Sequence, residues 1–141
     1  MITPIIGKEF GPAIMPLIQA AKNSIEIIAY DWRWYIADPA NPVQLFNQAL
    51  VSCVRKNIKI RAVLNKFDIC GILKSVGIQA KKKHYSKMLH AKIILIDDDI
   101  TILGSHNLTL SAFQFNSECS LIIQDREINQ RFKKFFEELW L

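Results

Sequence analysis

Six residues between positions 90 and 107 have the types and spacing to work on an anion: His90, Lys92, Asp97, Gly104, Ser105 and Asn107, in the order His-x-Lys-x4-Asp-x6-Gly-Ser-x-Asn. An imidazole attacks or carries protons near neutral pH, a lysine two positions away supplies positive charge, and hydroxyl and amide groups donate hydrogen bonds to oxygen. Together these are the groups that handle a phosphate. With each identity near ~5% background usage, a chance match in a chain this short is on the order of one in a million.

If His90 and Lys92 lie on a strand they share a face, while Leu89, Ala91 and Ile93 point into the opposite layer, so the spacing makes a two-residue anion clamp. Asp97, Asp98 and Asp99 fit the turn of a three-residue hairpin, which pairs Ile96 with Ile100 and makes facing positions sum to about 196. That register sets Lys92 beside Gly104 and His90 beside His106. Gly104 then lets the backbone approach a phosphate, and Ser105 and Asn107 add donors beside the imidazole. Asp97, at the junction of strand and turn, holds the hairpin and stays out of the chemical step. Asn116 and Glu118 share one face of the following strand, where a carboxylate accepting from one ring nitrogen of His90 fixes its tautomer and leaves the other nitrogen free.

The elements that must position these groups follow from periodicity. Residues 12–22 and 43–55 carry apolar residues at helical spacing, with a turn-forming Asp38-Pro39-Ala40-Asn41-Pro42 between. Residues 25–30 read as a buried strand and 58–64 as an alternating one. A short helix over 69–75 ends at Gly77, and a brief strand over 78–81 precedes the motif. Strands over 88–96 and 100–103, a third containing Leu121, and a closing helix over 127–140 complete the chain. Strands alternating with helices imply an α/β fold, and the consecutive strands around the motif require a mixed sheet, flanked by helices on both faces. At 141 residues, half of them hydrophobic, the expectation is one domain spanning 1–141.

The run from His90 to Asn107 resembles the signature of the phospholipase D superfamily, and Asn116-x-Glu118 resembles the Asn-x-Glu that trails it in many members. The resemblance implies the α/β/α sandwich of that superfamily. It implies that His90 attacks a phosphodiester to form a transient phosphohistidine, that Lys92 and Asn107 neutralise the non-bridging oxygens, that a second histidine protonates the leaving alcohol, and that water then hydrolyses the intermediate. No metal or other cofactor is expected, because positive side chains supply the electrostatic stabilisation.

Superfamily members usually carry the motif twice, whereas here it occurs once: His84 is followed by Tyr85-Ser86 and His106 by Asn107-Leu108, neither of which makes a His-x-Lys. The simplest completion is a homodimer that brings His90 of both subunits to one shared site across a two-fold axis, as in the single-motif endonucleases that this chain resembles. His106 and His84 are the internal alternatives.

Lys81, Lys82, Lys83 and Lys87 with Tyr85 form the densest basic run, just upstream of His90. They are expected to grip a nucleic-acid backbone, with Tyr85 stacking on a base. A net charge of +5 has the sign that favours such a partner. Arg33, within Asp31-Trp32-Arg33-Trp34-Tyr35, joins them as a substrate contact. The aromatics around it line the substrate groove, cover a dimer seam or pack in the core, and sequence leaves these three open. The three cysteines, Cys53, Cys70 and Cys119, match neither a disulfide framework nor a zinc site. With no apolar run of about eighteen residues and no secretory leader, a cytoplasmic protein without stable membrane association is expected. The leading expectation is a metal-independent endonuclease of DNA or RNA. A phospholipase D-type hydrolase of phospholipids and a non-catalytic nucleic-acid-binding module are the alternatives.

Overall fold

The computed structural model describes residues 1–65, 69–82 and 87–141. In chain order the elements are β1 (Ile2–Ile6), α1 (Phe10–Gln19), β2 (Ser24–Ala29), α2 (Pro42–Arg55), β3 (Lys59–Leu64), α3 (Cys70–Ser75), β4 (Gln79–Lys82), β5 (Ile93–Ile96), β6 (Ile100–Gly104), α4 (Leu110–Gln114), β7 (Cys119–Gln124) and α5 (Arg126–Trp140). Among the described residues the strands form one seven-stranded sheet in the order β1-β7-β6-β5-β2-β3-β4. β2, β3 and β4 run parallel, and the remaining pairs are antiparallel.

β2 lies inside the sheet, between β5 and β3, because it presents apolar side chains to both layers. Ile25, Ile27 and Ala29 enter a large core with Ile14 and Ile18 of α1, Phe46 and Leu50 of α2, and Phe113 of α4. Ile28 points the other way, into a smaller core with Val63, Leu89, Ile93, Leu95 and Phe136 of α5. Each such isoleucine, leucine, valine or phenylalanine side chain, fully buried, stabilises the fold by roughly 1.5–3 kcal/mol. α2 starts where it does because Asn41 accepts a hydrogen bond from the Val43 amide (2.9 Å) and Pro42 tolerates the first helical position. α5 starts at Asp125, which accepts from the Ile128 amide (2.8 Å).

β2 also carries one charge inward. Glu26 is 2% exposed beneath α5 and meets Lys133 at 3.3 Å, with Arg61 of β3 on its other side. Burial raises the Glu26 pKa against the opposing pull of Lys133 and Arg61. Arg61 is itself held by Glu137 and by the faces of Phe136 (4.9 Å) and Trp140 (5.3 Å).

The hairpin register is as expected: Ile96 faces Ile100, Leu95 faces Thr101, Ile94 faces Ile102 and Ile93 faces Leu103. The strand expected from residue 88, however, begins only at Ile93. Its neighbours diverge there. β2 ends at Ala29 and the chain turns to dock on Leu108, whose amide donates to the Asp31 carbonyl (3.0 Å) and whose carbonyl accepts from the Arg33 amide (3.0 Å). On the other side Gly104 pairs with Ser120 of β7, and the Ser105 amide donates to the Cys119 carbonyl (2.9 Å). Residues 90 and 92 therefore leave the ladder, and the expected pairings of Lys92 with Gly104 and of His90 with His106 do not form. Two elements have no counterpart in the periodicity reading. One is β1, an edge strand in which Pro4 is tolerated; the other is α4, a five-residue helix capped by Thr109.

Candidate active site

His90 stands exposed at the end of the sheet, just before β5. Its Nδ1 lies 3.3 Å from Lys92 Nζ, which also donates to the His90 carbonyl (3.0 Å). The two side chains are thus brought together as the spacing implies, by Lys92 folding back rather than by strand alternation. Tyr30, directly after β2, tilts against the imidazole with ring centroids 4.6 Å apart, and Lys92 Nζ lies 5.2 Å from the centre of the same ring. Burial pushes the Lys92 pKa down, and the Glu118 charge pulls it back up. A partly desolvated ammonium acts more strongly on a nearby anion than a fully hydrated one.

Glu118 is placed differently from the expectation. Its Oε1 accepts from the Ser105 hydroxyl (2.6 Å) and its Oε2 from the Asn116 amide (3.0 Å), so the expected hydrogen bond with His90 of the same chain is not among its contacts with the described residues. Ser105 has one hydroxyl proton, and giving it to Glu118 leaves none for an incoming oxygen. The hydroxyl oxygen in turn accepts from the Cys119 amide (3.0 Å). Ser105 and Asn116 therefore hold the carboxylate, and Ser105 is not the donor beside the imidazole that its spacing suggested. Both Asn116 and Glu118 precede β7 rather than riding on it.

Gly104 is required for a different reason from the one expected. A Cβ there would clash with Ser120 and the Cys119 carbonyl, so the missing side chain serves the β6–β7 contact. Asn107 lines the small cavity beneath the site with Lys92, Tyr30 and Asp31, and its Oδ1 is buried without a hydrogen-bond partner among the described residues. Asp97 lies far along the hairpin with φ of 54°. Its carboxylate accepts from the Lys22 (3.1 Å), Asn23 (2.7 Å) and Ser24 (3.2 Å) amides, pinning the hairpin to the α1–β2 turn.

His106, an internal candidate for the second histidine, is 3% exposed and stacked on Phe10 at 4.2 Å. Its Nε2 lies 2.8 Å from the Gly7 carbonyl and must carry the proton there, which makes Nδ1 the acceptor of the Ser120 hydroxyl at 2.7 Å. Burial pushes its pKa down, against the Gly7 carbonyl and the Glu118 charge. Both ring nitrogens are engaged, so this side chain belongs to the core.

The basic residues divide. Lys82 and Lys87 are exposed, whereas Lys81 donates to the Trp140 carbonyl (2.7 Å) at the end of α5 and lies 4.3 Å from the centre of the Trp140 ring. Lys83, His84 and Tyr85 lie outside the described residues. Arg33 is tied to Asp31 by a 2.8 Å ion pair. Of its neighbours, Trp32 is core, donating to Asn47 Oδ1 (2.8 Å), while Trp34 and Tyr35 pack against that core. Among the described residues, no three of His, Cys, Asp and Glu converge on a point where they would hold a metal.

Three contributors escaped sequence reasoning. Tyr30 read only as the end of a buried strand. Asn65, following β3, donates to the Leu89 carbonyl (2.8 Å) and fixes the backbone next to His90. Its signal was available, since a polar residue at the carboxyl end of a parallel strand is where α/β sheets place their sites. Asn47, fully buried in α2, secures the stretch after Tyr30 by donating to the Arg33 carbonyl (3.1 Å).

A histidine and a lysine thus meet at the end of a mixed, helix-flanked sheet, with a carboxylate held just ahead of the adjoining strand. A family model described as cardiolipin synthase, PLD-like domain, matches residues 14–140, and the chain belongs to that family within the phospholipase D superfamily. Among curated proteins it is similar to the mitochondrial cardiolipin hydrolase of Canis lupus familiaris, 36% identical over 136 residues that make 90% of this chain and 49% of that protein. The chain spans about half the length of the curated relatives it matches. Among solved structures, Nuc of Salmonella typhimurium, a phospholipase D family member, superposes with a TM-score of 0.81 at 20% identity, covering 99% of this chain and 95% of that one. NucT of Helicobacter pylori does so with a TM-score of 0.79 at 20% identity, covering 98% and 94%.

Proposed function

We propose that this domain is a metal-independent nuclease that cleaves DNA or RNA phosphodiesters as a homodimer through a phosphohistidine. The observation that carries the chemistry is the exposed His90 imidazole 3.3 Å from the Lys92 ammonium. A phosphodiester oxygen arriving at Lys92 draws the ammonium away from Nδ1 and uncovers the ring for in-line attack on phosphorus. Lys92 and Asn107 stabilise the charge that develops on the non-bridging oxygens. The leaving alcohol takes its proton from a second histidine, and water displaces the phosphate from His90.

His106 is locked in the core, and of the two candidates that remain, His84 and His90 of a partner copy, the second histidine is assigned to the partner copy. An apolar sheet face ending at the site supports that assignment. By strand register Ile2, Pro4 and Ile6 of β1 align with Ile123, Leu121 and Cys119 of β7, and Ile2, Ile6 and Leu121 remain 62%, 60% and 38% exposed. Cys119 directly follows Glu118, so apolar surface and carboxylate adjoin. A net charge of +5, with Lys82 and Lys87 exposed, favours a polyanionic substrate.

A second reading, hydrolysis of a cardiolipin-type phospholipid, is favoured by the names of the curated relatives. The test is cleavage of labelled DNA and RNA oligonucleotides beside cardiolipin vesicles, all in EDTA. Nucleic-acid cleavage that His90→Ala lowers by about a thousandfold or more is expected. Phosphatidic acid release without strand cleavage would replace the nuclease reading with the lipid one. Because each dimer needs two copies of His90, adding excess His90→Ala protein should suppress wild-type activity through mixed dimers. Activity independent of that excess would count against the shared site.

A further inference from the structure

We propose that Tyr30 is a positioning residue for phosphodiester attack, its ring fixing the His90 imidazole and the Lys92 ammonium in their working arrangement. This rests on the reading of His90 as nucleophile. The last β2–β5 pair is Ile28 with Ile93, so residues 90–92 leave the sheet without ladder hydrogen bonds, and an exposed histidine there has two side-chain torsions free to turn. The backbone is secured one residue earlier, where Leu89 is buried and its carbonyl accepts from Asn65 at 2.8 Å. Nothing in that anchor orients the ring.

Tyr30 supplies the missing constraint. It directly follows Ala29, a residue 4% exposed on the central strand, and so projects from a rigid part of the molecule. The Asn65 amide donates to the Ala29 carbonyl (3.1 Å), which ties the base of Tyr30 to the same asparagine that holds Leu89. From this base the ring contacts the imidazole at 4.6 Å between centroids and lies 5.2 Å from Lys92 Nζ. A single aromatic ring thereby limits both groups. The edge and face of an aromatic ring favour tilted ring pairs, and its face attracts a cation. These contacts come from the ring, so phenylalanine should replace tyrosine.

The experiment compares Tyr30→Phe and Tyr30→Leu with the wild type, each checked for folding by thermal melting. Two readouts are used: hydrolysis of bis(p-nitrophenyl) phosphate, which has neither base nor acyl chain, and the NMR signal of the His90 ring proton between the nitrogens. Tyr30→Leu should lower kcat about 10- to 100-fold with KM changed less than about threefold, because misplaced groups lose rate rather than ground-state binding. Its His90 signal should also move as the ring current of Tyr30 is lost. Tyr30→Phe should retain both properties. A folded Tyr30→Leu protein with an unmoved His90 signal would overturn the proposal, as would one whose KM alone rises. If the wild type is inert on every phosphodiester, the nuclease reading fails while the NMR signal still decides whether Tyr30 positions His90.

Discussion

Lys92 and His106 show opposite uses of burial at the scale of single residues. Burial lowers the Lys92 pKa, so activity that needs its charge should disappear on the alkaline side at a lower pH than an ordinary lysine would allow. Glu118 opposes that shift. Glu118→Gln should therefore move the alkaline limb of kcat/KM further down in pH, whatever it does to the maximum rate, and an unmoved limb would remove Lys92 as its source. His106 is held neutral with its pKa lowered, so the folded state resists a proton that the unfolded chain accepts. Its contribution is fully present above the unfolded value, roughly 6.5, and is lost as pH falls through that region toward the folded value. Thermal melting from pH 7 to pH 5 should show a loss of stability that is smaller in His106→Asn.

The elements show how one contact can decide register and placement. At Asp97 three backbone amides converge on one carboxylate, and Asp97→Asn keeps only a single acceptor oxygen for them. A loss of about 1–3 kcal/mol in urea unfolding is expected. Gly104→Ala forces a methyl group into β7 and should cost at least about 1–3 kcal/mol, displacing the strand that Glu118 immediately precedes. The hairpin, α2, β3 and α5 were legible because turn residues, caps and apolar periodicity are local signals. The end of β5 was not, because alternation continues through Leu89, Ala91 and Ile93 while the partner strands turn away. The same reason hid the Ser105–Glu118 pairing, since hairpin arithmetic covers two strands and the third partner arrives through β7. Tyr30 stayed hidden because β2 pairs with β5 across more than sixty residues of chain.

At the scale of the molecule, the sheet is clamped between a large apolar core and a single amphipathic helix tied down by charges. Ionising Glu26 is costly there, as its raised pKa records. Below that folded pKa it accepts a proton more readily than in the unfolded chain, so its contribution to stability increases as pH falls. Glu26→Gln should therefore leave the urea midpoint at neutral pH unchanged or higher, whereas Lys133→Met, which strips the buried carboxylate of its nearest cation, should lower stability by about 3 kcal/mol. Equal effects from the two substitutions would mean that the pair is worth no more than its packing.

The pairing of β1 with β7 bears on biosynthesis. Ile2 faces Ile123 and Ile6 faces Cys119, so β1 leaves the ribosome more than a hundred residues before its partner. Until that stretch emerges, β1 is an apolar edge without a neighbour and β6 lacks the strand that places Glu118. The site is therefore completed only after β7 has been made, and a nascent chain that has not reached residue 118 carries His90 and Lys92 without the neighbouring carboxylate.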